Sequence, residues 1–189
     1  MIPTTMLAVH LIGYGGIEKF KYRSDVLVLR PKPNEVFIRV AAAVVNNTDI
    51  NTRVGRYSKA ITQFNHIGAT QGFQNVGSGD ASWCGEPLAF PRIQGADICG
   101  YIADVGKAVI CTRIGERIVV RNMLRTYVNY RPYECWTIGS EVDGGFAHFC
   151  VGPSQETFAV ECDWDDFELA AIPSSYSTAE GLLERPNAI

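Results

Sequence analysis

The run Glu35–Val45, EVFIRVAAAVV, constrains this chain more than any other stretch. Its alternation places Val36, Ile38 and Val40 on one face of a strand and Phe37 and Arg39 on the other. Its second half is apolar on both faces, so the strand is expected to enter a core there. Pro31-Lys32-Pro33-Asn34 precedes it as a turn, because two prolines fix φ and Asn tolerates turn geometry. Other short runs read the same way: Thr5–Ile12, Phe20–Arg23, Val26–Arg30, Ile98–Val105, Ile118–Val120, the strand entered from Gly144-Gly145, and Thr157–Val160. Strands at such short spacing, separated by Gly and Pro turns, favour a barrel-like β fold.

Helices are few. Asn46-Asn47-Thr48-Asp49 ends the long strand with residues that start helices, and Ile50–Val54 gives one or two turns before Gly55. Asp163–Ile172 carries acids ahead of an apolar stripe, which suits a helix dipole, and Pro173 interrupts it. Ser177-Thr178-Ala179-Glu180 matches a capping box and predicts a second helix from Ser177, ended by Arg185-Pro186-Asn187. Residues 58–91, rich in Gly, Asn, Gln and Ser, read as a long mobile or functional loop with Gly77–Asp80 as its tip. Trp83, Leu88 and Phe90 are expected to pin that loop to the body.

Composition excludes several classes. A net charge of -3 over 189 residues gives no electrostatic reason to expect a nucleic-acid partner or an anionic membrane. No apolar run approaches the ~20 residues of a membrane helix. The apolar N-terminus has no basic leader and reads as a first strand. Gly13-Tyr14-Gly15-Gly16 lacks the third glycine of a dinucleotide loop and reads as a turn. The six cysteines form no CxxC pair, and with three scattered histidines they predict free thiols of a reducing compartment, the cytoplasm.

Six landmarks in order along the chain resemble the N-terminal part of the medium-chain dehydrogenase/reductase superfamily, the zinc-type alcohol dehydrogenases and quinone oxidoreductases. They are a glycine turn after the first strand, PKPNEVFIRVAAAVVNNTD, FPRIQGADICGYIADVG, RIGERIVV, DGGFAHFCV and ELAAIPSSYSTAEGLL. The resemblance implies a mainly β fold with short helices: a GroES-like β-barrel catalytic domain over residues 1–162. Residues 163–189 would then be a helical junction leading toward a Rossmann domain that this sequence does not contain.

The resemblance also marks a cleft. Zinc-dependent relatives place a Cys where this chain has Asn46, a His where it has Ala96 and a second Cys where it has Ser174. Amide, methyl and hydroxyl cannot replace thiolate and imidazole on zinc, so no metal is expected. The chain then resembles the zinc-independent, quinone oxidoreductase-like branch. By that resemblance Asn46 holds a substrate carbonyl, Thr48 lies at a proton-relay position and Asp49 orients the local backbone. Tyr57 borders the substrate, and Thr178 lies near the nicotinamide of NADPH or NADH. Each residue has a plainer role open to it. Asn46 and Asp49 suit a helix cap, Thr178 belongs to the capping-box pattern, Tyr57 suits loop packing and Asp97 suits a strand start. His148 is expected on the barrel wall or surface.

Three functions follow. The first is the catalytic portion of a zinc-independent NAD(P)H-dependent oxidoreductase for a quinone, enone or other carbonyl. It would be inactive alone, as a fragment, truncated gene product or separate domain of a protein nearly twice as long, which would itself be a homo-oligomer. The second is a stand-alone, non-catalytic GroES-like binding module. The third is a fragment of a zinc-dependent alcohol dehydrogenase.

Overall fold

The computed structural model describes residues 2–62, 68, 70–73, 76, 79 and 81–184. Most of the Gly77–Asp80 tip and the Arg185-Pro186-Asn187 stop lie outside the described residues. The strands are β1 (Thr5–Leu11), β2 (Phe20–Leu27), β3 (Glu35–Val44), β4 (Arg92–Ile93), β5 (Asp97–Val105), β6 (Arg117–Val120), β7 (Met123–Leu124), β8 (Trp136–Thr137), β9 (Phe149–Pro153) and β10 (Thr157–Ala159). The helices are α1 (Asn47–Val54), α2 (Asp166–Ala170) and α3 (Pro173–Glu184), with short 3-10 turns between strands. The expected mainly β architecture is what the chain adopts.

A five-stranded sheet runs β10-β6-β5-β3-β9 and a three-stranded sheet runs β2-β1-β4. All of their pairings are antiparallel. The segment 146–148 joins them. On one side the Val9 amide donates to the Phe146 carbonyl and the His148 amide to the Leu7 carbonyl; on the other, the Val40 amide donates to the His148 carbonyl. Sharing one segment between two sheet edges removes open edges, which is how a sheet curls toward a barrel. His148 itself is exposed, as expected.

The central core comes from Val36, Ile38, Ile98, Ile102, Ile118 and Val120, all within 1% of complete burial. β3 and β5 supply most of it, and their register slips twice, at Phe37/Ile38 and Val40/Ala42. Bulges of this kind bend a strand and increase its twist, so one long strand can follow a curved wall. Gly100 marks the closest approach of the pair: a Cβ there would lie 2.5 Å from the Arg39 carbonyl oxygen.

Four sequence expectations need correction. The deeper half of β3 is its first, not its second: Glu35–Ile38 are buried, whereas most of the later residues are only partly covered. Both faces of that first half are occupied, because Phe37 turns away from the central core and stacks on Phe149 at 5.0 Å. The two runs before Pro31 join into one strand, β2, which ends at Leu27, so Val28–Arg30 lie outside it. The strand after the double glycine begins only at Phe149, since Gly144–Phe146 bond across to Ile93, Gln94 and Gly95 instead. The last helix begins at Pro173, not at Ser177. Proline needs no intrahelical partner at a helix's first position. Ser177 and Thr178 therefore lie within the helix, where their hydroxyls bond back to the carbonyls of Pro173 and Ser174.

The loop anchors hold among the described residues. Trp83 meets Tyr57 edge to face, Phe90 meets Tyr14, and Leu88 is buried. The glycine turn after β1 is also tied down, with Arg53 of α1 donating to the Gly15 carbonyl at 2.6 Å. No helix among the described residues is long and apolar enough to cross a membrane.

The Gly100 contact gives a stability prediction. Gly100→Ala pushes β5 off β3 against backbone, not against a yielding side chain, and costs about 1–3 kcal/mol. Urea unfolding measures it; an unchanged midpoint would show that the two strands are free to part.

Candidate functional site

The carboxylate of Asp49 fixes the local geometry. Its Oδ2 accepts from the Asn46 amide at 2.9 Å, while the Asn46 Oδ1 accepts from the Thr48 amide at 3.1 Å, so the start of α1 is capped from both directions. Its Oδ1 accepts from the Gly95 amide at 2.9 Å and the Ala96 amide at 3.3 Å. Gln94 completes the joint by donating from Nε2 to the Asp49 carbonyl at 3.0 Å. Gly95 sits at φ +99, where a Cβ would also meet the Phe146 amide nitrogen at 2.7 Å, so only glycine suits this turn. Burial pushes the Asp49 carboxyl upward, and the amides of Asn46, Gly95 and Ala96 oppose that shift by holding the charged form.

Around this joint lies a cleft of about 430 Å³, lined by Asn46, Thr48, Trp83, Asn122, Thr137, Ser174 and Thr178 among others. Asp97, 1% exposed at the first position of β5, sits beneath it. Its Oδ1 accepts from the Ser174 amide at 2.7 Å, and its Oδ2 has no hydrogen-bond partner among the described residues. Asn122 donates from Nδ2 to the Ser174 hydroxyl oxygen at 2.6 Å. Burial pushes the Asp97 carboxyl upward, against Ser174 and Asn46, which favour its charged form.

The structure thus brings Asn46, Thr48 and Thr178 to one cleft, with Asp49 buried behind it as the orienting group. Tyr57 lies one residue further out. Its ring packs on the cleft residue Trp83 at 5.0 Å, and the side chains of Thr48 and Asn51 lie near its phenol. Burial raises its phenol, and those two side chains pull it back. The capping roles open to Asn46 and Asp49 are realised in full. The capping-box role open to Thr178 is not, because it lies in the second turn of α3. Asp97 does start a strand, but buried under α3 and not in a solvent turn.

Sequence reasoning missed Asn122 and Thr137. Neither lies in a recognisable motif. The one available signal was a lone asparagine two residues after the alternating β6 run. The three positions that the resemblance marks as metal-holding in zinc-dependent relatives are here Asn46 and Ser174 at the cleft and Ala96 fully buried. They offer amide, hydroxyl and methyl groups, a donor set that does not fit zinc. Among the described residues no cluster of His, Cys, Asp and Glu is arranged to hold a metal ion.

A small antiparallel barrel with a capped helix at its mouth and a polar cleft beside α3 is a GroES-like architecture. The chain belongs to the alcohol dehydrogenase GroES-like domain family, whose model matches residues 32–162, and so to the medium-chain dehydrogenase/reductase superfamily. It is 27% identical over 174 residues to the quinone oxidoreductase of Rattus norvegicus, covering 92% of this chain and 39% of that protein. It is 28% identical over 184 residues to the chloroplastic NADPH-dependent alkenal/one oxidoreductase of Arabidopsis thaliana, covering 96% of this chain and 38% of that protein. A solved structure from Sinorhizobium meliloti 1021, provisionally named an alcohol dehydrogenase, superposes with a TM-score of 0.79 at 36% identity, covering 97% of this chain and 48% of that one. The chain therefore spans less than half the length of each of these relatives.

Asp97 yields a pH prediction. Its folded pKa lies above its unfolded value, so the folded chain keeps the proton to higher pH. Stability therefore falls as pH rises from the ordinary carboxyl range through the raised value, and the cost of the buried charge is complete above it. Asp97→Asn keeps an acceptor for the Ser174 amide and carries no charge. Its melting temperature relative to the parent is expected to rise from pH 3 to pH 7; a difference that is flat with pH would remove the buried charge from the account.

Proposed function

We propose that this chain is the substrate-holding portion of a zinc-independent, NAD(P)H-dependent oxidoreductase acting on a quinone, enone or related carbonyl compound. The observation that carries this reading is the neutral cleft. Asn46, Thr48, Asn122 and Ser174 face one space with no soft ligand among them. The quinone and alkenal/one oxidoreductases among its relatives support the substrate class. The reduced nicotinamide supplies hydride when bound.

This chain's own part is to hold and polarise the acceptor. The hydroxyl of Thr48 lies at the cleft wall, where a carbonyl oxygen of the substrate would gain charge. The amide of Asn46 is oriented by the helix cap, which prevents it from rotating freely. Ser174 is fixed at its backbone by Asp97 and at its hydroxyl by Asn122, so the floor of the cleft is preorganised.

The nicotinamide is proposed to sit beside Thr178 on α3, held by a nucleotide-binding domain supplied by a longer form of the protein. The surface of α3 supports this. Tyr176, Leu182 and Leu183 are 60%, 70% and 74% exposed, an apolar surface suited to a covering domain. On this reading the isolated chain neither binds the cofactor tightly nor turns over.

Two measurements test the proposal. Titration of the chain with 1,4-benzoquinone, followed by quenching of Trp83, is expected to saturate, and Asn46→Ser to weaken it about five- to tenfold, since serine keeps a helix cap but loses the amide donor. Equal affinity in the variant would overturn the role of Asn46. Elemental analysis of the purified protein is expected to show zinc far below one equivalent. A stoichiometric content would restore the metal-dependent reading, and saturable micromolar NADPH binding by the chain alone would end the claim that a second domain is required.

A further inference from the structure

The two residues of β8 face different spaces, as successive strand residues do. Thr137 lines the cleft, while Trp136 lines a second cavity of about 420 Å³, within the size range of small-molecule sites. The apolar lining of this second cavity includes Leu27, Leu29, the stacked Phe37–Phe149 pair, and Tyr127, whose ring lies 5.4 Å from that of Trp136. Leu27 and Leu29 are 72% and 51% exposed, so this lining is not closed off by the protein itself.

The charges at the cavity are unequally satisfied. Glu35 accepts from the Tyr127 hydroxyl at 2.7 Å and the Lys32 amide at 2.9 Å. Glu141 accepts from the Cys84 amide at 2.9 Å and the Thr137 amide at 2.6 Å. Asp143 accepts from the Ile93 amide at 3.0 Å and from Arg92 at 2.9 Å. The cations are freer. Arg30 is exposed, with no hydrogen bond or ion pair among the described residues. The Lys32 ammonium is 78% exposed, only loosely paired with Glu35 at 3.8 Å, and held 5.8 Å from the Tyr127 ring centroid. The protein thus meets the needs of its acids here with its own donors and leaves positive charge beside uncovered apolar surface.

We propose that this cavity is a second ligand site, separate from the cleft, for small amphipathic carboxylates. The apolar body lies against Leu27, Leu29 and the Phe37–Phe149 stack, and the carboxylate is held by Arg30 and Lys32. Charge complementarity selects the anion, and the shape and lining select a flat or short apolar body. The site does not depend on the oxidoreductase reading, because none of these side chains lines the cleft.

The test uses 2-naphthoate as probe, with neutral 2-naphthamide as its near-isosteric control, and follows quenching of Trp136. Saturable quenching by naphthoate is expected, with naphthamide and the Arg30→Gln/Lys32→Gln double variant each weaker by about tenfold. Trp136→Phe is expected to remove most of the signal, whereas Asn46→Ser leaves naphthoate affinity unchanged. Both arginine and lysine positions are at the surface, so the double variant is expected to fold, and its circular dichroism spectrum checks this. Equal affinity for naphthoate and naphthamide, wild-type affinity in the double variant, weakening by Asn46→Ser, or no saturable quenching at all would each overturn the proposal.

Discussion

The structure depends on one carboxylate. Asp49 takes the Asn46 amide with one oxygen and the Gly95 and Ala96 amides with the other. Those contacts tie the start of α1 to the turn before β5, across 46 and 47 residues of sequence. A buried carboxylate without such donors would be strongly destabilising; with three amides it becomes a rigid joint. Several groups that line the cleft are placed relative to it. Asn46 and Thr48 stand at the head of the helix it caps, and Asp97 and, through it, Ser174 follow from the turn it holds.

The strands were legible where the pattern was local. Glu35–Val45 announces itself by alternation and by the prolines before it, and the structure ends the strand within one residue of that reading. What failed was decided at a distance. Ser177–Glu180 satisfies a capping pattern, yet the helix starts at Pro173, where the Ser174 amide finds the Asp97 carboxylate, a partner 77 residues earlier in sequence. The burial of β3 was inverted for the same kind of reason, since Phe37 is covered by Phe149 from β9. At the candidate site, Asn46, Thr48, Asp49 and Thr178 were legible because they sit in recognisable steps. Asn122 was not, because its meaning lies in a contact with Ser174, 52 residues away.

The family assignment and the local chemistry are consistent with each other. At the positions the resemblance marks for metal in zinc-dependent relatives, this chain offers an amide, a methyl and a hydroxyl, and the surrounding network holds them. Ser174 is committed to Asn122 and Asp97, and Asn46 to its own helix. On the proposed reading, such firmly held neutral donors are suited to a polarised oxygen.

The Asp97–Ser174 bond also sets where α3 would pivot if it moved. It pins the first turn of a 12-residue helix whose remaining residues are largely uncovered. Such a helix is about 18 Å long, so a tilt of about 10° about its pinned end displaces the far end by roughly 3 Å and Thr178 by only about 1 Å. The helix is thus a lever with its fulcrum at the cleft. Any body carried on its outer end would swing through a wide arc while the residues at the cleft hardly shift, which separates movement at that end from disturbance of the cleft's geometry.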